Sequence, residues 1–320
     1  MKKNKIKDTG LEITELSFGT SSLGSMPDTY GYEVPEDRAQ KTLNRFFQGP
    51  VNMLDTSRNY AMGESEKRIG RAIKENGGWP KDFLLSTKLD RNMDTLVLDK
   101  NRARESLEES LKTLNVDSVD ILFLHDPEYA KDITDITKKD GAMDELFKIK
   151  NEGLAKAVGV AMGKVDIMFP LLKDWDFDVI INHNRYTLIN REANEMYDYA
   201  SSKNIAIFNA APYAGGVLAK GPDNFKKVTY QDATEEKLAP AREFEKVCKK
   251  HNVELGAAAL QFSLRDNRIT STICGVTSVE SIEKNLAWAN AEISGEFWDE
   301  VLKLPFSSND PESDRVFTAG

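Results

Sequence analysis

The sequence predicts an α/β chain folded as a (β/α)8 barrel, and three observations carry that prediction. Short apolar runs of strand length alternate eight times with helical patterns. Polar residues able to do chemistry stand at the ends of several of those runs, where barrels and α/β sheets place their sites. No G-x-G-x-x-G follows a strand, which argues against the dinucleotide site of a doubly wound sheet. Alternation alone separates the two architectures poorly. A length of 320 residues admits one domain or two. No linker or low-complexity repeat interrupts the chain, so residues 1–320 read as one domain.

Residues 6–17 alternate around a Thr9-Gly10 turn and predict a β-hairpin. LSFGT is the first barrel strand, ending at Gly19-Thr20. The loop after it, SSLGSMPDTYGYEVPED, is long, polar and Gly-rich, as suits one wall of a site. A first helix runs from about Pro35 to Phe47, with Ala39, Leu43, Phe46 and Phe47 at helical spacing. Val51–Leu54 is the second strand, followed by a helix from Gly63 to Glu75 that Gly77-Gly78 stops. FLLSTK is the third strand, and the helix Lys100–Leu114 carries Leu107, Leu111 and Leu114 on one face. VDILFLH is the fourth, with a polar loop after it long enough to close over a ligand, then a helix over Ala142–Glu152. LAKAVGVA, FDVIINH and IAIFNA are strands five to seven, separated by helices near Lys164–Leu172 and ending near Lys203. A lid or long loop, APYAGGVLAKGPDNFKKVTYQDATEE, precedes helices over Lys237–His251 and Leu255–Leu264. ITSTICG is the eighth strand and Ser278–Ala289 its helix. The tail predicts a short helix and then polar coil.

Four side chains arrive at the ends of three successive strands. Asp55 closes the second, Tyr60 lies five residues on, Lys88 ends the third and His125 the fourth. A free tyrosine titrates at about 10, too high for ready proton exchange at neutral pH. An ammonium beside it favours the phenolate, and a carboxylate would hold that ammonium in place. The arrangement predicts Tyr60 as general acid/base, Lys88 as its tuner, Asp55 as the partner of Lys88, and His125 as orienter of the reacting oxygen.

DTSRNY followed by GESE, LSTK and the strand-end histidine resemble the motifs of the aldo-keto reductase family, a (β/α)8 family with this tetrad. The resemblance implies that the tetrad moves a proton while a nicotinamide moves the hydride. It implies a cofactor wall at Gly19, Thr20 and Asp55. It places Ala161 and Met162 where family members carry Ser and Asn, and His183 where they often carry Gln. Ala210 stands at the position of a stacking aromatic, with Tyr213 nearby. The segment CGVTSVESIEKN resembles the family's dinucleotide clamp. That implies contacts from Gly275, Thr277, Ser281, Lys284 and Asn285, with backbone N–H groups at 277–279 free for phosphate. Thr277 and Ser281 replace the usual bases there and Glu280 adds negative charge, so NAD is expected over NADP, with Lys284 the opposing residue.

RYTLINREA, LHDPE and the stretch from Val247 to Gly275 are most similar to the D-threo-aldose 1-dehydrogenase branch, which oxidises the C1 hydroxyl of a cyclic sugar. Substrate contacts are expected near Tyr30–Tyr32, Glu128–Tyr129 and Tyr213. An NADPH-dependent reductase of aldehydes or ketones, and a nicotinamide-binding protein without turnover, stay open as alternatives.

Net charge of −9 and a pI near 5.1 leave no basic face for nucleic acid or an anionic membrane. The start, MKKNKIKDTG, has no apolar core of a secretory signal, and no apolar run approaches a membrane span. A cytoplasmic enzyme acting on a small sugar or aldehyde is expected, with no statement on oligomeric state. Cys248 and Cys274 supply no disulfide framework, and His125, His183 and His251 show no metal-ligand spacing.

Overall fold

The computed structural model describes residues 1–313 and 315. Two strands, β1 (Lys3–Ile6) and β2 (Leu11–Thr14), pair as an antiparallel hairpin. Eight parallel strands then close into a barrel. They are β3 (Leu16–Gly19), β4 (Met53–Asp55), β5 (Leu84–Leu89), β6 (Val119–His125), β7 (Ala155–Met162), β8 (Val179–His183), β9 (Ala206–Ala210) and β12 (Ser271–Gly275), the last pairing with β3. Between them, β10 (Lys227–Val228) and β11 (Gln231–Asp232) form a small hairpin inside the expected lid, turning through Thr229 and Tyr230 at φ 47° and 68°. Two β-residues on each side are too few for periodicity to reveal, so the sequence predicts only a lid or long loop there.

Strand periodicity divides the core in two. One apolar set packs between barrel and helices, as with Leu54, Leu85, Leu122, Val158 and Ile180. The alternate set points into the barrel: Met53, Leu84, Ile121, Phe123, Ala157, Val179, Phe208 and Ile273. Ile6, Leu11 and Ile13 of the hairpin join this inner set, so the hairpin plugs the floor of the barrel. The helices Lys100–Leu114 and Leu255–Leu264 fall where the pattern predicts, and the others shift by one or two residues at an end.

The tail does more than run off as coil. After the short helix Gly295–Val301, it returns to the barrel mouth, where the Glu312 carboxylate pairs with the buried Arg185 guanidinium. Asp310 accepts from the same guanidinium at 2.6 Å. Gly163 makes room for this, since a Cβ there would lie 2.4 Å from Arg185 Nη1.

Candidate active site

Because inward residues recur every second position, each strand delivers one side chain to the top of the barrel. Gly19, Asp55, Lys88, His125, Ala161, His183, Ala210 and Gly275 all line one cavity of about 1160 Å³. Four of these positions carry little or no side chain, and that is what opens the well. A Cβ on Gly19 would already come within 3.1 Å of Ile273 Cγ2. The backbone bends sharply just beyond the site. Asp126, Asn184 and Ala211, each next after a cavity-lining strand end, have φ of 43°, 64° and 54°.

Asp55 and Lys88 are buried together. Lys88 Nζ donates to Asp55 Oδ2 at 2.8 Å and to the Thr56 carbonyl at 2.6 Å, while Ser86 Oγ donates to Asp55 Oδ1 at 2.9 Å. Lys88 Nζ also lies 4.7 Å from the centre of the Tyr60 ring. The His125 ring meets that ring edge-on, with centres 5.7 Å apart. Tyr60 is offered by a strained turn, Ala61, Met62 and Gly63 having φ of 51°, 52° and 91°. The absence of a side chain at Gly24 admits this turn, since a Cβ there would lie 2.7 Å from that of Ala61. Arg68, on the helix after the turn, donates to the Leu23 and Val34 carbonyls and pins the loop that carries Tyr30 and Tyr32.

Electrostatics departs from expectation at Tyr60. Burial, reinforced by the Asp55 carboxylate, holds its hydroxyl well above 10, not below. Burial is the largest cause, and the carboxylates of Asp55, Asp126 and Asp90 add to it by disfavouring a phenolate. His125 moves the other way. Burial alone would lower it, but the Asp126 and Asp90 carboxylates raise it above 6.5.

Several expected cofactor residues sit differently. Thr20 lies behind the cavity wall, where Oγ1 donates to the Asp55 carbonyl and accepts from Ser65. It braces the site and does not line it. Met162 still lines the cavity, but its side chain packs in the outer core and its carbonyl accepts from Asn182 Nδ2. The N–H groups of Thr277 and Ser278 both donate to Ser281 Oγ at 3.0 Å within a capping box, so they are not free for phosphate. Ser281 and Lys284 line the cavity, with Lys284 Nζ 4.6 Å over the Trp288 ring. Asn285 also lines it but accepts from Tyr213 Oη at 2.5 Å, so Tyr213 braces the clamp segment. His183 shares the cavity wall, its Nδ1 3.6 Å from Glu312, and burial lowers its pKa. Of the expected substrate contacts, Tyr30, Tyr32 and Tyr213 line the cavity. Glu128 instead accepts the Gly163 N–H, and Tyr129 packs under Arg91.

Several residues at or behind the site carry no signal in the sequence, among them Asn59, Arg91, Tyr230, Gln231 and Arg315 of the lining. Asp90, Ser57 and Ser86 are small polar residues that act through a neighbour and leave no periodic trace. Arg38, from the helix Glu36–Phe46, reaches Thr277 Oγ1 at 3.4 Å across 239 residues of chain. Among the described residues no cluster suits a metal ion, and no helix is long and apolar enough to cross a membrane. The donor set fits a nicotinamide dinucleotide. A well left open by small strand-end residues adjoins the tetrad and continues past Ser21 and Ser22 to the start of the helix Val279–Ala289.

A profile of the aldo/keto reductase family matches residues 15–304. An L-galactose dehydrogenase of Arabidopsis thaliana is 31% identical over 284 residues, covering 88% of this chain and 85% of that protein. A D-threo-aldose 1-dehydrogenase of a Pseudomonas species is 28% identical, covering 92% and 94%. Among solved structures, an aldo-keto reductase of Bacillus halodurans in its holo form superposes with a TM-score of 0.78 at 22% identity. It covers 99% of this chain and 100% of that one, a likeness of fold.

Proposed function

The chain belongs to the aldo/keto reductase family and is a nicotinamide-dependent oxidoreductase; from that premise we propose that it oxidises the C1 hydroxyl of an aldose to a lactone, with NAD as acceptor. The observation that carries the substrate class is the polar lining near the tetrad, from Tyr30, Asn59, Arg91, Tyr230, Gln231 and Arg315. A hydroxyl-rich substrate gives up water on entering, and each unmatched polar group costs about 1–3 kcal/mol. A wall of donors and acceptors offers a hydroxyl-rich substrate replacements for that water, and an apolar aldehyde would use none of them. The activities named for the two curated relatives agree with this reading.

In this mechanism Asp55 and the Thr56 carbonyl fix Lys88 beneath Tyr60. Tyr60, once ionised to the phenolate, takes the proton of the C1 hydroxyl on Oη, and His125 orients the same oxygen. A bound nicotinamide supplies the hydride acceptor. Gly19, Ala161, His183, Ala210, Gly275, Thr277, Ser281, Lys284 and Asn285 are the residues that would hold it. The preference for NAD rests on charge. Glu280 stands against Arg38 and Glu283 pairs with Arg45, which leaves Lys284, drawn over the Trp288 ring, to meet a 2′-phosphate.

One observation favours a second reading, an NADPH-dependent carbonyl reductase: Arg38 reaches into the segment where a 2′-phosphate would need a partner. A panel of aldoses and small aldehydes with each nucleotide, followed by the near-ultraviolet absorbance of reduced nicotinamide, tests the two. NAD-dependent oxidation of an aldose supports the first. Turnover confined to NADPH and simple carbonyls overturns it.

A further inference from the structure

Asp90 is the first residue past β5, and it is wholly buried. Its Oδ1 lies 2.5 Å from His125 Nδ1. Its Oδ2 accepts from Ser57 Oγ at 2.6 Å and from the Asn59 N–H at 3.0 Å. Its own N–H donates to Ser106 Oγ at 2.8 Å, and its carbonyl accepts from Arg102 Nε at 3.1 Å. The carboxylate is thus held by the loop after β4 and its backbone by the helix Lys100–Leu114, which leaves Oδ1 toward the imidazole; Ser57 Oγ also lies 3.2 Å from His125 Nδ1.

We propose that Asp90 is a positioning residue that keeps a proton on His125 Nδ1 and the ring doubly protonated, so that Nε2–H is presented to the reacting oxygen in the cavity. The proposal rests on the role given to His125 above. A carboxylate that accepts at Nδ1 selects the tautomer and leaves Nε2 as the nitrogen facing the cavity. It also favours the imidazolium, because an opposite charge at hydrogen-bond distance stabilises the charged form. The groups facing the pair from all sides are mixed in sign. Asp126 from beyond β6 lies 3.8 Å from Nε2. Asp55 from β4 and Tyr60 stand on the cavity side, and Lys88 from β5 opposes the charge. Behind Asp90 are Arg102 and, farther off, Glu66. The two nearest carboxylates outweigh the one ammonium, in line with the raised His125 pKa. A doubly protonated His125 is a stronger donor to a developing alkoxide than a neutral ring.

Nitrogen-15 NMR of the full-length protein reads this directly, without substrate. At pH 7 both His125 nitrogens should show protonated shifts, with a titration midpoint above the ordinary histidine range. In Asp90→Asn the midpoint should fall by at least one pH unit, and kcat should drop about 100-fold while KM changes less. Asp90→Glu should restore the midpoint in part. A neutral His125 in the unmodified protein, or a midpoint that Asp90→Asn leaves in place, overturns the proposal. The first of these needs no variant to fold. If the midpoint falls as expected but no aldose is turned over by the unmodified protein, the assignment of Asp90 stands and the sugar dehydrogenase reading falls.

Discussion

Replacing Lys88 by methionine removes one buried ammonium and leaves its partner behind. Asp55 and Lys88 side chains are 6% and 1% exposed, so water cannot take over the lost contact. Breaking such a pair from one side costs about 3–5 kcal/mol, a large share of a typical total stability of about 5–15 kcal/mol. Unfolding entropy of roughly 2.1 cal/mol/K per residue, over 320 residues, turns that into a melting temperature lower by roughly 4–8 °C. Adding Asp55→Leu removes the stranded charge and should recover most of the loss. Thermal unfolding followed by circular dichroism checks this. A single variant that melts with the parent, or a double variant no better than the single, refutes the claim that this pair is held by mutual charge.

Tyr60→Phe should cut aldose turnover at least about 100-fold while leaving NADH affinity nearly unchanged, since the hydroxyl acts on substrate. In the parent enzyme, aldose oxidation should climb with pH through the alkaline range, because the base form of so high a hydroxyl is scarce at neutrality; a flat profile contradicts Tyr60 as the base. Arg38→Glu should weaken NADPH by about five-fold relative to NADH in a fluorescence titration, as roughly 1 kcal/mol of exposed ion pairing implies; equal losses for both would place Arg38 out of reach of the 2′-phosphate.

The barrel was legible because each strand is a short apolar run and each partner helix repeats its apolar residues at helical spacing. The tetrad was legible for a related reason: Asp55, Lys88 and His125 are strand-end residues, and strand periodicity alone brings such residues to a common rim. What stayed hidden depends on contacts between distant parts of the chain. Arg185 reads as one more charge until Glu312, 127 residues later, closes on it. Thr20 shows the converse error. Its place at a strand end suggests the cavity, yet its neighbour Gly19 takes the inward position and the period of two turns Thr20 away. The direction of the Tyr60 shift was unreadable because it turns on burial and on carboxylates brought in from three strand ends, Asp55, Asp90 and Asp126, which no single motif gathers.

The hairpin that stoppers the floor makes the well a cul-de-sac. With Ile6, Leu11 and Ile13 filling its base, molecules come and go by the same doorway. A second exit through the floor would require those side chains to leave the inner core, so traffic is confined to the rim that carries the tetrad.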